Sequence, residues 1–183
     1  IMEYKRGETF LSVIVPFVTY GSIINIHMPL CLGLELAIIP KFDADKWSNY
    51  LKKYKPNHII AVPPIMAALM SDEKIKNFDL SYIKTLGMGG EGMNIQLEEK
   101  LNEYLTQRNC NAKILKGYGM TEVCATAATS NNKANKIESV GIPLPNNIFM
   151  IYDNENGKEL KYMQTGEICM KCESMMIGYK DIS

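Results

Sequence analysis

Lys113-Ile114-Leu115-Lys116-Gly117-Tyr118-Gly119-Met120-Thr121-Glu122 starts as a short apolar segment and ends in an aromatic ring, a hydroxyl and a carboxylate. Ala112 to Leu115 reads as a buried strand running into glycines. Ligands of open α/β sheets sit in the crevice outside the carboxyl ends of the strands, which is where the residues after Leu115 fall. Gly117 and Gly119 predict a sharp backbone turn and a close approach to a ligand without Cβ clashes. Tyr118 can stack on a flat base, Thr121 can hydrogen-bond a phosphoryl oxygen, and Glu122 can hold Mg²⁺. The plainer readings of the same residues are a core aromatic, a local turn hydrogen bond and a solvated loop carboxylate.

Outward from this stretch, strands alternate with helices. Phe10 to Val15 reads as a strand stopped by Pro16. Gly21 to Leu34 reads as a buried helix with Pro29 at a kink or a start, and Leu36 to Ile39 as a short buried strand. Trp47, Tyr50, Leu51 and Tyr54 recur at helical spacing within Asp43 to Tyr54. His58 to Val62 is a strand closed by Pro63-Pro64, Ile65 to Met70 a helix, and Ile83 to Leu86 strand-like. Asn94 is the expected N-cap of a helix to about Arg108, with Leu97, Leu101, Tyr104 and Leu105 facing inward. The pattern describes an α/β fold, a parallel doubly wound sheet flanked by helices. Past Ala134 it changes: Asn147 to Tyr152 alternates, Asp153 to Gly157 is a turn, and Glu167 to Lys171 alternates again. We expect residues 1–133 to form the α/β subdomain and 134–183 the start of a small antiparallel β subdomain.

Bulk properties exclude several classes. The chain has 183 residues and carries 20 acidic and 20 basic side chains, with no long block of either sign. A nucleic-acid partner held by a basic surface is therefore not expected. The longest apolar stretch, Ser22 to Pro40, is interrupted by Asn25, His27, Pro29 and Glu35 and is a poor membrane span. Five cysteines fit reduced thiols in a cytoplasmic protein. Cys169-Met170-Lys171-Cys172 has metal-type spacing but no second cysteine pair or nearby histidine, and residues three apart on a strand face opposite ways. His27, in an apolar helix, reads as a hydrogen-bonded core residue.

Tyr118-Gly119-Met120-Thr121-Glu122 resembles the Tyr-Gly-x-Thr-Glu motif of the adenylate-forming enzymes, among them the acyl-CoA synthetases. Met88-Gly89-Gly90-Glu91-Gly92-Met93 is similar to the glycine-rich segment that lies against adenine in that family. Gly141-Ile142-Pro143-Leu144-Pro145, Thr165-Gly166-Glu167-Ile168 and Met176-Ile177-Gly178-Tyr179 match its later motifs, and five matches in one order are hard to produce by chance. The resemblance implies that Gly89, Gly90, Glu91, Gly92, Gly117, Tyr118, Gly119, Met120 and Thr121 contact ATP or AMP. It implies further that Glu122 holds Mg²⁺ and that Thr121 and Glu122 serve the chemistry. A tight connection before the Asn94 helix is the other reading of the glycines.

The resemblance also implies the reaction: ATP-dependent activation of a carboxylic acid, preferably a fatty acid, followed by transfer to CoA. An amino-acid adenylation domain serving a carrier protein and a non-catalytic nucleotide-binding module are the alternatives. The family's phosphate loop and its lysine have no counterpart upstream of Val15-Pro16-Phe17. The family's ribose-binding Asp stands in a Thr-Gly-Asp context that Asp181 lacks, so Asp181 is not given that role. The chain is expected to be a central fragment that binds ATP weakly and does not turn over alone. Pro16-Phe17-Val18-Thr19-Tyr20-Gly21 keeps the frame of an acyl-pocket segment but has Val18 where many relatives carry His. Ile65 and Met66 are candidates for the acyl wall and equally ordinary core residues.

Overall fold

The computed structural model describes residues 3–180; Asp181 lies outside them. β1 (Thr9–Ser12) leads into a π-helix (Tyr20–His27) continued by the single turn α1 (Met28–Cys31), then β2 (Glu35–Ile38), α2 (Trp47–Tyr54) and β3 (His58–Ala61). α3 (Pro63–Ser71), β4 (Thr85–Met88), α4 (Ile95–Thr106), β5 (Ile114–Met120) and β6 (Ala125–Thr129) follow. The chain closes with β7 (Ile142–Pro143), β8 (Ile148–Asp153), β9 (Lys158–Glu159) and β10 (Glu167–Lys171). One seven-stranded sheet has the order β2-β1-β3-β4-β5-β6-β7, and a separate three-stranded sheet the order β10-β8-β9. The pairs from β2 through β5 are parallel, as the alternating pattern predicts. β6 and β7 extend the sheet antiparallel, and the small sheet is antiparallel throughout.

The elements follow from local chemistry. Pro63 and Pro64 sit in the first turn of α3, where a missing N–H costs nothing and φ is already helical. Asn94 caps α4 by accepting the Leu97 N–H at 2.8 Å. Leu101 and Leu105 of that helix are fully buried, while Leu97 and Tyr104 are half-buried. Trp47 on α2 is buried with Leu51, and its indole N–H donates to the Ile65 carbonyl at 3.0 Å, which ties α2 to α3. His58 to Ala61 are all buried, the signature of a central parallel strand covered on both faces.

Three local expectations change. β2 is an edge strand paired to β1, so Ala37 is buried whereas Ile38 is 50% exposed. The helix after β1 is a π-helix that buries Gly21 and Asn25 but exposes Leu30 and Leu32 just beyond it. A Cβ on Gly21 would lie 1.9 Å from the Val15 carbonyl oxygen, so this tight entry from the β1 loop requires glycine. His27 is exposed, 3.4 Å from the Cys31 thiol, because it falls on the outer side of that helix rather than in the core.

Candidate active site

The strand order places the topological switch between β1 and β3: the chain leaves β1 for β2 on one side and returns to β3 on the other. The crevice above such a point is where open α/β sheets take ligands. A cleft of about 180 Å³ opens above β5, walled by Gly117, Tyr118, Gly119, Met120 and Thr121, with Gly90 on one flank. Val18, Thr19 and Tyr20 close a second flank, and Ala125 and Thr126 a third. Six of the residues singled out in the sequence thus line one cleft. Gly89, Glu91, Gly92 and Glu122 are adjacent in sequence but not part of its wall.

β5 does not turn sharply at its glycines. Its first half pairs parallel with β4, and its second half pairs antiparallel with β6, through Gly117–Thr129, Tyr118–Ala128, Gly119–Thr126 and Met120–Ala125. The register slips between Tyr118 and Gly119, a bulge that raises local twist. Gly119 is required for a different reason, and Gly117 is closely packed for the same one. A Cβ on Gly119 would lie 1.5 Å from the Ala125 carbonyl oxygen, and one on Gly117 would sit 3.3 Å from that of Ala128. The reversal comes later, in the 3₁₀ turn Thr121–Val123, and is completed by Cys124 and Ala125 at positive φ.

The glycine run after β4 divides by role. Gly89 packs closely on Tyr20, whose hydroxyl would be 3.1 Å from an added Cβ, and Gly90, at φ +79°, is held to glycine by its backbone. Nothing lies within 4 Å of a Cβ on Gly92, and Glu91 is exposed. The Tyr20 hydroxyl donates to the Ala61 carbonyl at 3.2 Å. That pins the flank to the end of β3, and burial pushes this phenol far above its ordinary pKa.

At the open end, the Thr19 hydroxyl donates to Thr121 Oγ1 at 3.1 Å. The Thr121 proton is then free to point at an incoming phosphoryl oxygen. The Glu122 carboxylate accepts the Tyr179 hydroxyl at 2.6 Å. That hydrogen bond, with a backbone one, holds its carboxyl below the usual range, and the same contact raises the Tyr179 phenol. No group of three or more His, Cys, Asp or Glu side chains among the described residues is placed to hold a metal. A lone carboxylate beside a hydroxyl suits a hard cation that arrives with phosphate oxygens and water, which is how Mg²⁺ is usually bound. The donor set therefore fits Mg²⁺ carried by a nucleotide.

Below the cleft, Lys116 and Glu98 form an ion pair at 2.6 Å with both side chains about nine-tenths buried. The Lys116 N–H donates to Ser130 Oγ at 2.7 Å. The pair locks the first turn of α4 to the strand that carries Tyr118. Neither this pair nor Ala125 to Thr129 carries a local sequence signal. The run of small residues in β6 shows no apolar alternation, although Thr-rich small runs are compatible with a strand that another backbone approaches closely.

Residues 2–180 match the model of the AMP-binding enzyme family. The chain belongs to that family. Among its relatives, a probable 4-coumarate–CoA ligase 3 from Dictyostelium discoideum is 30% identical over 96% of this chain and 31% of its own length. A long-chain-fatty-acid–CoA ligase from Bacillus subtilis is 29% identical over 97% of this chain and 31% of its own. The chain thus spans about a third of the length of these family members. The fold is that of a long-chain-fatty-acid–CoA ligase from Archaeoglobus fulgidus, with TM-score 0.84, 22% identity, and 96% of this chain covered against 36% of that one. It is equally that of O-succinylbenzoate coenzyme A synthetase from Bacillus subtilis in complex with ATP and magnesium ion, with TM-score 0.79, 20% identity, and 98% against 36% coverage. No helix among the described residues is long and apolar enough to cross a membrane.

Proposed function

We propose that this chain forms the nucleotide-side wall of a cytoplasmic acid–thiol ligase that activates a carboxylic acid with ATP and transfers the acyl group to CoA. The observation that carries this reading is the convergence of Gly90, Tyr118, Thr19 and Thr121 on one cleft beside Glu122. In the first half-reaction a substrate carboxylate oxygen attacks the α-phosphorus of ATP, and the bond to pyrophosphate breaks. In the second, a thiolate attacks the acyl carbon and AMP leaves. Positioning and charge neutralisation supply most of the acceleration in such transfers. Tyr118 and the Gly90 backbone orient the base, and the Thr121 hydroxyl hydrogen-bonds the phosphoryl group. Glu122 would hold Mg²⁺, which neutralises phosphate charge when bound.

A fatty acid is the preferred substrate. The candidate acyl-wall residues Ile65 and Met66 are apolar and offer no partner for a substrate ammonium. Two of the relatives are named for 4-coumarate and for long-chain fatty acids, which sets the panel for the decisive experiment. ATP–pyrophosphate exchange in the complete protein, with fatty, aryl and amino acids supplied in turn, is expected to be stimulated most by the fatty acids. Stimulation by an aryl or amino acid alone would replace that substrate class. Absence of exchange with every acid, despite ATP binding, would overturn the enzymatic reading.

A further inference from the structure

The segment after β10 returns to the motif turn and is fastened to it at three points. Ser174 Oγ donates to the Val123 carbonyl at 3.0 Å. The Met176 N–H donates to the Glu122 carbonyl at 2.8 Å. The Tyr179 hydroxyl donates to Glu122 Oε1 at 2.6 Å. Two of these contacts grip the backbone of Thr121–Val123, and the third grips the side chain of the residue between. The anchored turn is a 3₁₀ turn of three residues, too short to hold a long side chain in one rotamer by itself. A glutamate projecting from it has three rotatable bonds.

We propose that Ser174 to Tyr179 is a strap that orients the cation-binding carboxylate, with Tyr179 as the positioning residue for Glu122. This rests on the assignment of Glu122 as the Mg²⁺ ligand made above. The hydroxyl occupies one lone-pair direction of Oε1 and leaves Oε2 unobstructed. The carboxylate is therefore fixed in direction while keeping an oxygen for the cation. A hydrogen-bonded outer partner of this kind typically changes metal affinity by about 10- to 100-fold when it is removed. Tyr179 is 53% exposed, so its hydroxyl is not needed to fill the core. Ile177, between the anchors, points fully into solvent, consistent with a strap whose purpose is the contacts at its two ends.

The test compares Tyr179→Phe, which keeps the ring and removes the hydroxyl, with Glu122→Gln in the complete protein. Mn²⁺ serves as the paramagnetic probe of the cation bound with ATP. Electron paramagnetic resonance is expected to show Mn²⁺ retained about tenfold more weakly by Tyr179→Phe. ATP binding in chelator-treated buffer and the melting temperature should stay at the parent values. Unchanged Mn²⁺ retention in Tyr179→Phe, with retention lost in Glu122→Gln, would overturn the strap and leave the ligand assignment standing. Unchanged retention in Glu122→Gln would overturn both. If metal-free ATP binding or the melting temperature falls in step with Mn²⁺ retention in Tyr179→Phe, the hydroxyl is a structural prop and the proposal fails. Ser174→Ala, which loosens the other end and spares Tyr179, is expected to give a smaller loss in the same direction.

Discussion

The chain up to Ser130 and the chain beyond it hold together by different means. Before that point, Leu11, Trp47, Ile59, Met66, Leu86 and Leu101 close one continuous core. After Ser130, no described residue is buried. Ile148 is 64% exposed and Tyr162 90% exposed. The later region leans on the earlier one through discrete contacts. The Tyr118 and Phe149 rings lie 6.4 Å apart, and the Leu144 N–H donates to the Ala127 carbonyl at 2.8 Å. The strap on Glu122 is another. The comparison teaches that the cleft stands on a packed core and is finished by a region held by the backbone pairing of its own small sheet and by a few contacts to the cleft. Stability belongs to the first region, whereas precise placement of the Thr121–Glu122 turn depends on both.

Truncation separates the two regions most sharply. Trp47→Ala removes a fully buried indole and is expected to lower unfolding free energy by about 4 kcal/mol. Ile148→Ala should stay within about 0.5 kcal/mol, as for exposed surface positions. Equal losses in urea melts would dissolve the distinction. Next in size is the buried pair under the cleft. Lys116→Met leaves Glu98 without its partner and should cost about 3 kcal/mol. The double change Lys116→Met with Glu98→Leu is expected to recover most of that loss, and a double-mutant cycle in the same melts reads the difference.

A finer probe is the pair of glycines at the motif. Gly119→Ala drives a Cβ into the Ala125 carbonyl and should cost about 2 kcal/mol through forced backbone movement, with ATP binding weakened alongside. Gly92→Ala meets nothing and should leave ATP binding at the parent level, as calorimetric titration would show.

The smallest effect is the acid response, which belongs to the far end of the core sheet. There Glu8 meets buried His58 at 2.8 Å and pairs with Lys84. Burial alone would raise Glu8, but Lys84, the Lys5 N–H and His58 outweigh it and hold its pKa at about 2. Burial pushes His58 below its ordinary 6.5, against the opposing pull of Glu8. Both shifts make the unfolded chain the better proton acceptor, so stability falls on acidification. The His58 part of the loss sets in just below pH 6.5. The Glu8 part follows as pH falls from 4.5 toward 2. His58→Phe should abolish the earlier part in urea midpoints measured across pH and shrink the later part, since Glu8 keeps Lys84 and the Lys5 N–H but loses His58.

Much of the earlier region was legible because its signals are local. Pro63-Pro64 mark the close of β3, although the helix already begins at Pro63; Asn94 marks the cap of α4, and Trp47, Tyr50, Leu51 and Tyr54 the inner face of α2. What escaped depends on partners distant in sequence. The apolar residues of β2 predict a buried strand, but its place at the sheet edge is decided by pairing order. The glycines of β5 predict a turn because composition does not reveal the backbone of β6 lying against them. Tyr179 and Glu122 stand 57 residues apart, and no spacing rule connects them.

β5 changes partners halfway along its length, from β4 to β6, with Gly117 and Gly119 fitted to particular carbonyls of the second partner. The strand consequently has no slack for insertions or deletions. Losing or gaining one residue between Ile114 and Met120 would exchange the faces of everything beyond it, setting Tyr118 or Met120 where the neighbouring backbone leaves room for hydrogen alone. The exposed stretch from Lys161 to Gln164 is under no such constraint. Length variation across this chain should therefore be absent from the strand that carries the motif and concentrated in the connections of the small sheet.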